Sequence, residues 1–195
     1  LMALVLWGLA VGVWMRQPVP YTFFTPKPIA PNFEVYPYSD AANHDIVAQH
    51  ILVGNGFMGD QVTKHPLLSV FLAGLHTAAG QDYDQMILLQ TLFLAMFPVV
   101  LYFLGKAMHS RALGVMLGLL SLLRELNIIG ASPYSRVSHS KMLMSDIPAA
   151  IGIALFSLLV ILWLRNPSRR RLMPLAAGGV MGLLMLVRTQ SVLLV

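Results

Sequence analysis

Cysteine is absent from the 195 residues, so the chain has no disulfide framework and no thiolate metal site, and redox chemistry gives no clue to its compartment. Charge is scarce as well. Only 11% of the residues are charged and only eight are acidic, against 57% apolar. Soluble domains carry about 25% charged residues, so this composition excludes an ordinary globular domain and places the chain in the membrane class. The net charge of +5 is not a nucleic-acid signal. Four of the thirteen basic residues form one short run, Arg165 with Arg169, Arg170 and Arg171, which has the character of a cytoplasmic loop anchor.

What is abundant is apolar sequence, in six segments at roughly 1–14, 66–80, 85–104, 111–126, 146–164 and 172–195. A helix needs about 20 residues to cross hydrocarbon at 1.5 Å per residue. The third, fifth and sixth segments meet that length and the fourth is marginal. The second carries His76 and is short, which predicts a tilted or partly re-entrant helix. The first has no basic stretch before it and no small-residue cleavage site after it, and the last runs to Val195. The expectation is therefore a piece of a longer polytopic protein with further helices beyond.

Lysine and arginine in short loops set orientation. Lys106 and Arg111 flank one turn and the arginine run flanks another, so both belong on the cytoplasmic side, with the connection 126–145 outside. Six strictly alternating crossings would instead put the Lys106 turn beside Asp40, on the outside. The short second segment is the place where that alternation would fail. Counting about 1.5 Å per residue from the basic ends, Arg124, Glu125, Asp146 and Arg188 all gather toward the outer side.

The loop of about 15–65 is the polar exception. Residues 18–37 hold six prolines and several aromatics, suited to an extended segment at the interface. Residues 40–53 read as a helix, with Ser39 or Asp40 at its start and Gly54 after its end. Ile46, Val47, Ile51, Leu52 and Val53 supply an apolar side, so this is an amphipathic helix lying on the membrane.

Acidic residues near a bilayer are costly and are functional candidates by default. Asp40 and His44 are four residues apart, on one helical face, while Asp45 points elsewhere. A carboxylate beside an imidazole can serve as a general base with an orienting partner; a capping role for Asp40 is the alternative. Lys64 and His65 precede Pro66 and could hold a lipid phosphate, or Lys64 could simply snorkel. Arg188 stands in apolar surroundings and needs a partner, either a phosphate or Asp146 or Glu125. The segment 132–146, with Arg136, His139, Lys141 and Asp146 among its serines, reads as a sugar pocket or as a solvated loop. His44, His50 and His65 with Asp40 or Asp45 offer ligand atoms for a divalent ion, which is not excluded, but no HxxxH spacing supports a site. No metal or cofactor is expected. The twelve methionines read as packing.

The order of these motifs carries a resemblance. A first helix is followed by a loop with Ser-Asp40, a helix ending Gly-Asn-Gly-Phe57 and then Lys-His-Pro-Leu67. A Gly-Lys106…Arg111 turn follows, then Ser-Asp146 before the fifth segment and Leu-Val-Arg188 in the sixth. This resembles the N-terminal part of GT-C glycosyltransferases, the superfamily of protein O-mannosyltransferases and lipid A aminoarabinose transferases. The resemblance covers essentially the whole chain. It implies an all-α polytopic transmembrane bundle with an amphipathic helix in the first outer loop, in the inner (plasma) membrane. It also implies transfer of a sugar from a polyprenyl-phosphate donor to a hydroxyl acceptor on the extracytoplasmic face, with inversion. The family's essential acidic residue maps onto Asp40 as base, with His44 as orienting partner. Lys64, His65, Arg188 and Arg124 would meet the donor phosphate, and Asp45, His139, Lys141 and Asp146 would line the sugar or acceptor pocket. The alternatives are a transporter or flippase of a lipid-linked or anionic solute, and a non-catalytic homologue.

Overall fold

The computed structural model describes residues 1–31, 33–57 and 64–189. These residues form eight helices and no strand: α1 (Met2–Arg16), α2 (Asp40–Leu52), α3 (Pro66–Ala79), α4 (Tyr83–Leu94), α5 (Met96–Met108), α6 (Arg111–Ala131), α7 (Asp146–Arg165) and α8 (Met173–Val187). Three stretches are long and apolar enough to cross a membrane: 83–108, 111–131 and 146–165, with 26, 21 and 20 residues. The fourth apolar segment thus runs five residues further than its sequence pattern. The first of these stretches breaks at Ala95. Pro98 has no N–H for the Leu94 carbonyl and its ring crowds that group, which accounts for the interruption.

The helices run between two ends. At one, the Arg165 guanidinium donates to the Met108 carbonyl at 3.1 Å, which brings the turn after α5 together with the basic end of α7. At the other lie α2, α3 and the start of α7. The sequence conflict over the Lys106 turn is resolved by α3. It begins at His65, bonded to the Val187 carbonyl, and finishes where His76 and Gly80 meet Asp45 on α2. Tyr83, the first residue of α4, also bonds Asp45. Both ends of α3 are therefore at the loop end, and α3 does not run the length of the bundle. The Lys106 turn and the arginine run then share the basic end.

Packing is close where glycines permit it. A Cβ at Gly105 would lie 2.8 Å from the Gly114 Cα, so the α5–α6 hairpin closes backbone to backbone. Trp14 is buried between α1, Ala95 and α6, and its indole N–H donates to the Leu122 carbonyl at 3.3 Å. Leu68, Leu72 and Met86 form a second core under α2.

Two expectations are corrected. The sixth apolar segment was expected to be helical over 172–195. Helix α8 instead ends at Val187, and Arg188 is extended, with φ −152° and ψ 109°; residues 190–195 lie outside the described ones. Arg188 therefore caps a helix rather than sitting inside one. The second concerns α2, expected over 40–53, which ends at Leu52 with Val53 as its cap. It ends in a Schellman motif, with Gly54 N–H on the Ile51 carbonyl, Asn55 N–H on that of His50, and Gly54 at φ +84°. Its inward stripe, however, is Ala41, Asp45 and Ala48, while Ile46, Leu52 and Val53 stay exposed, Val53 at 72%. Small residues let α2 sit close on α3; Ile51 packs against the core beneath, while Ile46, Leu52 and Val53 face away from the protein.

Candidate functional site

Consecutive residues of α2 reach opposite ends of α3. His44 meets His65, whereas Asp45 meets His76, eleven residues or about 16 Å further along at 1.5 Å per residue. Helix α2 therefore lies across α3, and its two polar faces serve different purposes.

The His44 face carries the candidate site. Pro66 opens α3 at a position where its missing N–H costs nothing, and His65 just before it is non-helical, with φ −135° and ψ 61°. This presents the His65 ring to α8, where Nδ1 donates to the Val187 carbonyl at 2.7 Å. The His44 ring stands edge-on to His65, centroids 4.9 Å apart. Arg188 follows Val187 directly, and its guanidinium pairs with the Asp146 carboxylate at the start of α7. Burial, helped by His65, pushes the His44 imidazole down to about 4, against the opposing pull of Asp40 and Asp146. His44 is thus neutral at neutral pH. Asp40 lies in the first turn of α2, exposed, and caps nothing: the capping position is Ser39, which makes no side-chain cap bond. Asp40, His44, His65, Asp146 and Arg188 are accordingly brought to one place by α2, α3, α7 and α8. Lys64 is exposed beside His65.

The other expected site residues are placed elsewhere. Asp45 is 2% exposed and accepts from Gln49 Nε2 at 2.8 Å, Tyr83 Oη at 2.6 Å and His76 Nε2 at 2.8 Å. Three protein side chains hold it in place. His139 and Lys141 are both buried, and Lys141 lies beside Gln17, Phe24 and Pro37. The Lys141 ammonium donates to the Gln17 carbonyl, and burial holds its pKa below the usual lysine range. His139 Nδ1 accepts from the Lys141 N–H at 3.2 Å, and burial with the Lys141 charge lowers its pKa to about 4. Arg124 is 60% exposed and stands 4.0 Å from the buried Glu125, which accepts from the Ser140 N–H at 2.5 Å. Gln90 anchors the same loop by donating to the Ser140 and Met142 carbonyls at 2.7 and 2.9 Å. Nothing local in the sequence marks His76, Tyr83 and Gln90 as partners, apart from the Asp45–Gln49 spacing of four; Glu125, one of the two carboxylates expected for Arg188, bonds the Ser140 N–H instead, and Asp146 takes Arg188.

Among the described residues no three His, Asp or Glu side chains converge in a way that could hold a metal ion. A narrow cleft on the far side of α2 is lined by Phe24, Pro37, Ala41, Tyr83 and Lys141. Comparison with family models, curated proteins and solved structures finds no match for this chain.

Proposed function

We propose that this chain is part of a membrane glycosyltransferase that moves a sugar from a polyprenyl-phosphate donor to a hydroxyl acceptor. One observation carries the reading. Two imidazoles, two carboxylates and an arginine, drawn from four helices, meet at one end of an apolar helical bundle. Ionisable groups held at the edge of such a bundle are what a lipid-linked anion requires. The donor's apolar tail would lie along the helices. Its phosphate would meet Arg188, held in place by Asp146, with Lys64 alongside. These cations would stabilise the phosphate as it departs, where negative charge develops. Asp40 is the acidic residue that the resemblance marks in this loop, and in-line attack on the anomeric carbon would invert it. The exposed apolar side of α2 would rest in the interface of the bilayer.

The test is transfer itself. Full-length protein in vesicles is given a radiolabelled polyprenyl-phosphate sugar and a mixture of hydroxyl acceptors. Label should leave the lipid phase, and the Arg188→Gln variant should be slower. Label that stays on polyprenyl phosphate, or crosses the bilayer without chemical change, refutes the proposal; the second result identifies a flippase.

A further inference from the structure

One imidazole in the cluster has its tautomer set by the backbone. The Val187 carbonyl lies 2.7 Å from His65 Nδ1. A carbonyl oxygen only accepts, so Nδ1 carries a proton, and in the neutral ring Nε2 is a lone pair. No hydrogen bond to Nε2 is made by the described residues, and the ring is half-exposed. This is the arrangement of an oriented base: one nitrogen tied to an acceptor, the other open. It is also poorly suited to the phosphate-binding role expected of His65, because a lone pair repels a phosphate oxygen.

The two neighbours make weaker bases. Asp40 is exposed, and no hydrogen bond among the described residues orients it. His44 is oriented by packing against His65, but burial holds its pKa to about 4, so it gains little by taking a proton at neutral pH.

We propose that His65 Nε2 is the general base of the transfer reaction; this rests on the glycosyl-transfer reading above. The acceptor's O–H proton passes to Nε2 while the oxygen's electron pair forms the bond to the anomeric carbon. The bond from that carbon to the phosphate oxygen breaks, and its electron pair leaves with the polyprenyl phosphate. His65 becomes an imidazolium with its Nδ1–H still on the Val187 carbonyl, and it returns the proton to water before the next turnover. The His44 ring on α2 packs edge-on against it, and Arg188, one residue past Val187, pairs with Asp146 on α7. Arg188 and Lys64 favour the leaving phosphate. Asp40 then acts as a positioning and electrostatic residue. A single turn of backbone carries both halves of the chemistry, the Val187 carbonyl for the base and the Arg188 guanidinium for the leaving group.

The test compares His65→Asn with Asp40→Asn in the transfer assay. Asparagine keeps an N–H that can reach the Val187 carbonyl but offers no base. His65→Asn should lower kcat about a hundredfold with KM and melting temperature near wild type, and the ascending limb of the pH–rate profile should disappear. Asp40→Asn should keep that limb and lose less than tenfold. Normal kcat in His65→Asn, or the larger loss in Asp40→Asn, overturns the assignment and leaves the glycosyl-transfer reading standing. Wild-type protein that transfers no sugar overturns both. If His65→Asn does not fold, nitrogen-15 NMR of unsubstituted protein decides. A neutral His65 with its proton on Nδ1 supports the assignment, and a proton on Nε2 contradicts it.

Discussion

Replacing Asp45 with alanine should loosen α2 from the bundle, and the expected cost follows from its three partners. Both His76 ring nitrogens face oxygen acceptors, Gly80 O at 2.7 Å and Asp45 Oδ1 at 2.8 Å. The two side chains form a buried pair, 3% and 2% exposed. Breaking a buried pair by removing one partner costs about 3–5 kcal/mol. Tyr83 and Gln49 lose an acceptor in the same step. Tyr83→Phe removes only one bond to a charged group and should cost about 1.5–3 kcal/mol. Thermal unfolding in detergent would rank the two, and hydrogen exchange would localise the damage to α2 and the start of α4, with the α5–α6 hairpin unaffected. An Asp45→Ala protein within about 1 kcal/mol of wild type would refute the reasoning, since three buried partners left without Asp45 cost more than that.

Two glycines make opposite predictions. Gly105→Leu should destabilise the α5–α6 hairpin by about 1–3 kcal/mol through overpacking, because even its Cβ would meet Gly114 at 2.8 Å. Gly130→Ala has nothing within 4 Å of the new Cβ and should stabilise α6 by about 0.5–1 kcal/mol; both are read from melting temperatures. The pH dependence follows from His44 and His139, both lowered from 6.5 to about 4. Between those values the unfolded chain binds protons that the folded one does not. Stability should therefore be full above pH 6.5 and fall as the pH drops toward 4, by about 3 kcal/mol for each group. His44→Gln should flatten that slope in a melting-temperature series.

Local signals carried the sequence reading where the structure is local. Helix α2 is bounded by Asp40 and Gly54 because a first-turn acid and a left-handed glycine act within a few residues. The shared end of the Lys106 turn and Arg165 followed from loop charge, although strict alternation of crossings contradicted it. What could not be read depends on contacts between distant parts of the chain. Asp45 looked available because His76 and Tyr83 stand 31 and 38 residues away. Arg188 looked buried in a helix because nothing near it announces that the Val187 carbonyl turns aside to His65, 122 residues earlier. The serine-rich loop of His139 and Lys141 reads from sequence as a sugar pocket or a solvated loop, yet Gln90 and Glu125 draw it into the bundle.

The claim that a donor phosphate sits at the α2–α3–α8 cluster is tested most directly by Arg188→Gln, measured for both donor use and melting temperature. The Arg188–Asp146 pair is about one-third exposed on both sides, 36% and 38%. Its loss should therefore cost no more than about 1 kcal/mol of stability. A guanidinium that binds a departing phosphate contributes more, about 2.7–4 kcal/mol by analogy with other charge-stabilising donors, or a hundredfold or more in rate. The account predicts donor turnover down by at least that factor with the melting temperature nearly unchanged. Normal donor turnover with a clearly lowered melting temperature would make Arg188 a structural residue and contradict the account.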